Sequence, residues 1–165
     1  MLTGVINSSP IIAFSMLNLI EIFEKVFEKA YIPHEVINEI MYAGSNSNYG
    51  KNELRTLLNS ERVFAYQVIN SMFVLKHYGK LHAGELEVIV AGIELNADLV
   101  VLDDLSARRL AGDLGLKPIG TVGILKIAKK IGYVAKIEPL LFQLRRRGFR
   151  ISDKMIEQIL TEEGE

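Results

Sequence analysis

The sequence predicts an α/β fold in which helices cover both faces of a central, mostly parallel β-sheet. Short apolar runs alternate with longer segments of helical periodicity along most of the chain, which is typical of βαβ units. The run at 99–102 contains only leucine and valine, as buried parallel strands often do. The 165 residues are 49% hydrophobic, which suits one domain with a substantial core.

In the first half of the chain, turn residues and apolar spacing define the elements. A short apolar strand at 2–7 leads into Ser9 and Pro10, which are favoured at the N-cap and first position of a helix. Apolar spacing then predicts one or two helices up to residue 27. The remaining predictions are a strand at 30–32, a helix at 33–41, a polar loop at 44–50, a short helix through Leu54 and Leu58, a strand at 63–68 and a helix at 71–78.

The second half contains the longest regular patterns. Residues 84–95 predict a helix that is apolar on most faces and therefore largely buried. The strand at 99–102 is followed by a helix at 105–114, which Gly115 ends. A short edge strand at 118–120 and helices at 121–131, 138–147 and 152–163 complete the chain. We therefore predict an α/β domain at 1–132 with a helical extension at 133–165.

The composition excludes several classes of function. The chain has no cysteine and three scattered histidines, so a metal would have to be a hard ion held by oxygen ligands. It has no glycine-rich phosphate loop and no Gly-x-Ser-x-Gly turn. We interpret His34, His77 and His82 as surface or capping residues. With no apolar run long enough to span a membrane and no basic N-terminal region, we expect a cytoplasmic protein without a membrane segment.

The total charge of −1 hides an asymmetry along the chain. Residues 1–125 carry a net charge of −4, residues 126–150 a net +7 and residues 151–165 a net −4. A basic segment of this size is a candidate for binding a polyanion. The preference for cations at a helix C-terminus also explains Arg145, Arg146 and Arg147 without any polyanion.

Polar residues follow two of the predicted strands, Asn7 after the first and Asp103 and Asp104 after the strand at 99–102. In open parallel sheets, ligands bind at the carboxyl ends of the strands. Capping of the next helix would explain Asp104 alone. Two adjacent acids are more than a cap requires, and a bound cation would relieve their repulsion.

Glu85 is the most informative single residue. A helical wheel puts it on the same face as Val88, Ile89 and Gly92, near the positive end of the helix dipole. A buried carboxylate is costly there unless a counter-charge or a metal accompanies it. The alternatives are a buried ion pair and a solvated helix start.

Two further residues carry weaker signals. Glu39 flanks the apolar stripe of the helix at 33–41, so by itself it would be interpreted as a surface glutamate. Arg108 follows Asp104 at the i+4 spacing, which predicts an intrahelical ion pair or, alternatively, a contact to a phosphate.

Four segments together resemble a branch of the PIN-domain proteins that includes toxins and ribonucleases. They are VINSSPIIAF, YIPHEVINEI, HAGELEVIVAGIELNADLVVLDDLSARRLAGDLGLKPIGTVGIL and, more loosely, LLFQLRRRGFRIS. The resemblance runs from Val5 to about Gly132, and it rests on the order and spacing of the segments. It implies a three-layer α/β/α sandwich and a nuclease that cleaves RNA with Mg²⁺ or Mn²⁺. Many prokaryotic members are toxins with a partner antitoxin protein, and homodimers are common.

Carried over residue by residue, the resemblance implies a set of site residues. The metal ligands would be Asn7, Glu39, Glu85, Asp103 and Asp104; the four acids would be catalytic, and Ser9 would contact the substrate. The phosphate alternative for Arg108 adds a second predicted substrate contact. The choice between Asp103 and Asp104 as the main ligand stays open. The family usually has an aspartate where this chain has Asn7. An amide oxygen can coordinate a divalent ion but adds no charge, so the alternative is a weak or inactive PIN fold that binds RNA or protein.

Overall fold

A computed structural model describes residues 2–42 and 49–165 and contains a five-stranded parallel sheet. The strands are β1 (Leu2–Ile6), β2 (Phe27–Pro33), β3 (Val63–Tyr66), β4 (Leu99–Val101) and β5 (Pro118–Ile119). Their order in the sheet is β3-β2-β1-β4-β5. The predicted three-layer α/β/α fold is confirmed, and β5 is the predicted edge strand.

The helices of the described residues alternate with the strands, as the apolar pattern predicts. They are α1 (Ser8–Met16), α2 (Ile22–Val26), α3 (His34–Met41), α4 (Lys51–Leu58), α5 (Ser71–His77), α6 (Ala83–Glu94), α7 (Leu105–Asp113), α8 (Thr121–Lys130), α9 (Glu138–Arg146) and α10 (Asp153–Glu163). Most of the loop predicted at 44–50 lies outside the described residues. None of the helices in the described part of the chain is long and apolar enough to cross a membrane.

The start of α1 differs from the prediction. The helix begins at Ser8, with Asn7 in the N-cap position and no side-chain cap. Ser9 is therefore not the N-cap, because it lies inside the helix and its hydroxyl donates a hydrogen bond to Asp103 instead. The apolar stretch that follows forms two helices, α1 and α2, and Asn18 between them adopts a left-handed conformation with φ 53°.

The sheet places the ends of β1 and β4 side by side. β1 is central, with β2 on one side and β4 on the other. The connection after β1 leads to β2 and the connection after β4 leads to β5, so the two connections diverge between β1 and β4. The Asn7 N–H donates to the Val101 carbonyl at 3.1 Å, which joins the first residue after β1 to the end of β4. Such a switch point opens a crevice at the carboxyl edge of a sheet.

The helices at 138–163 share the apolar core of the sheet. Ile137, Leu141, Leu144 and Ile156 are buried in the same cluster as the strand residues. Charge pairs add to this packing: Lys126 contacts Glu162 at 2.6 Å, Lys129 contacts Glu165 at 2.7 Å, and Arg145 pairs with Asp153. The acidic segment thus neutralises part of the basic segment that precedes it.

Among the residues of these charge pairs, Glu165 forms the most contacts. Its buried carboxylate accepts hydrogen bonds from the N–H groups of Ile137 and Glu138, at 2.8 and 2.9 Å, and pairs with Lys129. Burial alone would raise the pKa of this carboxyl, but those hydrogen bonds and the ammonium outweigh it and lower the pKa from 4.5 to about 2.

We expect Glu165→Gln to lower the free energy of unfolding by about 2 kcal/mol at neutral pH, because charge-assisted hydrogen bonds are lost. A carboxyl whose pKa is lowered on folding stabilises the fold above its unfolded pKa and loses that effect as the pH falls. The difference between wild type and variant should therefore shrink as the pH falls from 4.5 to about 2. Denaturant titrations across this range measure it. Glu157→Gln, on the exposed side of α10, is the control, and an equal loss in both variants would contradict the account.

Candidate active site

Asn7 is the buried polar residue at the end of β1. The residue is 4% exposed, and its Oδ1 has no hydrogen-bond partner among the described residues. A buried polar atom without a partner is costly and is rare in native structures. An oxygen in this state is suited to accept a cation or a donor that binds at the carboxyl edge of the sheet.

The two serines after Asn7 connect the first strand to two acids. The Ser8 hydroxyl donates to Glu39 Oε2 at 2.9 Å, and the Ser9 hydroxyl donates to Asp103 Oδ2 at 3.0 Å. Adjacent residues of α1 thus reach an acid of α3 and an acid that follows β4. The structure brings Glu39 and Asp103 to the same edge, next to Asn7.

Asp103 is half-buried and is held by Thr121, which was not among the predicted site residues. The backbone N–H and the hydroxyl of Thr121 both donate to its carboxylate at 2.7 Å, and Thr121 is fully buried at the start of α8. With Ser9 as a third donor, the carboxylate is fixed in one orientation. The sequence signal was the Gly120-Thr121 pair between the edge strand and a helix, where a hydroxyl can face the neighbouring strand end.

Glu39 is half-buried, and its position depends on Gly84. The Gly84 N–H donates to Glu39 Oε1 at 3.1 Å. A Cβ on Gly84 would lie 2.8 Å from Glu39 Cδ and 2.9 Å from Oε2, closer than non-bonded atoms approach. Gly84 is therefore a glycine because the carboxylate occupies the space of a side chain, and no local pattern in the sequence marks this role.

We expect Gly84→Ala to destabilise the fold by about 1–3 kcal/mol, because the new methyl group displaces a packed side chain. The matched control is Gly112→Ala in α7, where a Cβ meets none of the described atoms within 4 Å. Alanine in an exposed helix is favoured over glycine by about 1 kcal/mol, so the control should be stabilised. Denaturant midpoints of the two variants should move in opposite directions, and a stabilised Gly84→Ala would contradict the contact.

Glu85 and Asp104 line one cleft of ≈ 300 Å³ beside the loop at 78–82. Glu85 Oε2 accepts the N–H of His82, which occupies the exposed N-cap position of α6. Burial raises the pKa of the Glu85 carboxyl, and the charges of Asp104 and Glu39 raise it further, against the lowering effect of the His82 N–H. Three acids are therefore electrostatically coupled at this point.

The contacts of Asp104 and Arg108 test the local part of their predictions, the helix cap and the intrahelical ion pair. Asp104 Oδ1 accepts the Ala107 N–H at 2.8 Å, so Asp104 does cap α7. In the described part of the chain Arg108 forms no ion pair with Asp104, and the default expectation of an i+4 pair is wrong. Its guanidinium instead points toward Gly120: a Cβ there would lie 3.6 Å from Arg108 Nη1 and 3.1 Å from Asp103 Oδ1.

The candidate ligands are oxygen atoms, which suit a hard divalent ion, but their side chains are not grouped around one position. Within residues 2–42 and 49–165, no three acidic or histidine side chains lie close enough together to hold one ion. Mg²⁺, however, commonly binds through one or two carboxylates and keeps several waters. That mode of binding fits the four acids at this edge, two of which line the cleft, together with Asn7 Oδ1, which has no hydrogen-bond partner among the described residues.

Comparison with family models supplies the identity of the fold. A model described as a PIN domain matches residues 3–165. The chain belongs to the PIN-domain family. The predicted membership is thereby confirmed, and the match extends across the helices at 138–163. A search of curated proteins found no match to this PIN domain.

Proposed function

We propose that this PIN domain is a divalent-metal-dependent endoribonuclease. The observation that carries the proposal is the gathering of acids at the carboxyl edge of β1 and β4. In the described residues Glu39, Glu85, Asp103 and Asp104 form no ion pair with lysine, arginine or histidine, so their charge calls for a counter-ion. Asn7, Glu39, Glu85, Asp103 and Asp104 would hold Mg²⁺ or Mn²⁺, directly or through water.

Residues of the chain would hold the carboxylates and the substrate in position for the reaction. A bound divalent ion supplies an activated water and stabilises charge on the phosphate. Ser8 and Thr121 hold Glu39 and Asp103 in fixed orientations, which reduces the reorganisation needed when substrate binds. Ser9 and Arg108 are the proposed substrate contacts.

The test is cleavage of a mixed RNA pool with Mn²⁺, with and without EDTA. Cleavage that requires the metal supports the proposal, and its absence at every Mn²⁺ concentration contradicts it. The further proposals of a toxin role, an antitoxin partner and a homodimer are supported by the family resemblance alone.

A second candidate function is a catalytically weak or inactive PIN domain that binds RNA or a protein. Asn7 favours this candidate, because it contributes no charge where the family usually has an aspartate. A protein that binds RNA but does not cleave it with Mn²⁺ would support the second candidate over the first.

A further inference from the structure

We propose that Arg150, between α9 and α10, acts with Arg108 to hold a phosphate of single-stranded RNA beside Asp103. The inference rests on the proposed function and adds to it a substrate-positioning residue from the helical extension. It starts from two clefts of ≈ 430 and ≈ 450 Å³. Asp103, Phe149 and Arg150 line both clefts and therefore form the wall between them.

The clefts lie on either side of the proposed catalytic edge. The first is also lined by Ser8, Ser9 and Met16 of α1, and the second by Arg108 of α7 and Gly120. A strand that passed from one cleft to the other would cross Asp103. Near Gly120, the guanidinium of Arg108 and the carboxylate of Asp103 border a space that a Cβ would fill.

Three of the eight cations of the basic segment form ion pairs in the described part of the chain, and Arg150 is not among them. Of the cations without an ion pair, Arg150 is the one that lines both clefts. Arg145 pairs with Asp153 and Lys126 with Glu162. Arg147 donates to the Met16 carbonyl at 2.5 Å and lies over the Tyr49 ring. Arg150 is exposed at the clefts, and an unpaired guanidinium is well suited to bind phosphate through paired hydrogen bonds.

The connection that carries Arg150 is held at both ends. Gly148 ends α9 with φ 95°, and the Phe149 N–H donates to the Leu144 carbonyl at 3.0 Å. On the other side, the Ser152 hydroxyl oxygen caps α10 by accepting the Met155 N–H at 3.2 Å. The backbone of Arg150 is thus fixed before any ligand binds, which lowers the entropic cost of a contact.

The test is binding of a fluorescein-labelled single-stranded RNA to the full chain in EDTA, measured by anisotropy across a salt series. Each phosphate contact on a single strand contributes about 0.7 to the slope of log affinity against log salt. Arg150→Gln and Arg108→Gln should each reduce the slope by about 0.7, while Arg150→Lys keeps it. Arg146→Gln, which removes an exposed arginine of α9 that lines neither cleft, is the matched control and should leave it unchanged.

The possible outcomes separate this inference from the proposed function. A reduced slope for Arg150→Gln in a protein that never cleaves RNA supports the phosphate contact and overturns the nuclease proposal. If the wild type cleaves RNA with metal and Arg150→Gln binds RNA with the same salt slope as Arg146→Gln, the phosphate contact alone is overturned. Failure of the wild type to bind single-stranded RNA also overturns the contact. Far-ultraviolet circular dichroism verifies that each variant is folded.

Discussion

Replacing Glu85 with glutamine is expected to lower the rate of Mn²⁺-dependent RNA cleavage by about 100-fold or more, the scale seen when one group that stabilises the transition state is removed. Glu85 shares a cleft with Asp104 and is coupled to Glu39, so its charge is part of the field that would hold the ion. Glutamine keeps an oxygen that can accept the His82 N–H. The variant should therefore fold like the wild type and lose mainly the charge.

Glu87→Gln is the matched control for this experiment. Glu87 lies in the same helix, is also half-buried, and accepts the Glu35 N–H at 2.9 Å. Burial raises the pKa of its carboxyl as well, and the charges of Glu35 and Glu39 add to the rise. The difference is that Glu87 does not line the cleft of Glu85 and Asp104. Cleavage by Glu87→Gln should stay within a few-fold of wild type. Unchanged cleavage by Glu85→Gln would remove Glu85 from the mechanism.

Restoring the carboxylate at position 7 is expected to give the second large effect. Asn7→Asp places a charge at a residue that is 4% exposed, and a buried charge without a partner is costly. Asn7 Oδ1 already lacks a partner in the wild type, but the penalty for such a group is larger when it is charged. Without metal, the variant should therefore lose at least about 1–3 kcal/mol of stability. Mn²⁺ should restore that loss, since a ligand that binds only the folded state stabilises it.

Thermal unfolding with and without Mn²⁺ measures this effect, and cleavage assays of the same samples give its catalytic counterpart. Asn38→Asp adds the same charge on the exposed side of α3 and is the control. Cleavage created by Asn7→Asp in an otherwise inactive protein would identify the natural chain as a binding module. Equal cleavage by both forms would make Asn7 a tolerated ligand, and an Mn²⁺ response no larger than that of Asn38→Asp would place position 7 outside the metal site.

The sequence predicted those parts of the fold that depend on local patterns. Apolar runs such as 99–102 predicted the strands, and the residues after them predicted which edge carries the polar side chains. The capping role of Asp104 was predictable because its partner, Ala107, lies three residues away. The start of α1 was missed because Ser9 bonds to Asp103, 94 residues further along the chain.

The rest of the candidate site depends on contacts between residues that are far apart in the sequence. Gly84 and Thr121 are ordinary helix-start residues in the sequence, and their importance follows from carboxylates 45 and 18 residues away. The partial neutralisation of the basic segment is equally non-local, since Lys126 finds Glu162 on another helix. Periodicity and spacing describe one element at a time, so they could not distinguish a cation paired in this way from Arg150.

Calorimetric titration with Mn²⁺ tests most directly whether the acidic edge is a metal site. The account predicts a specific divalent site in the wild type that is weakened at least about tenfold in Glu85→Gln, as expected when a group that supports a metal site is changed, and that is retained in Glu87→Gln. Absence of a specific site in the wild type, or equal Mn²⁺ affinity in wild type and Glu85→Gln, would contradict it.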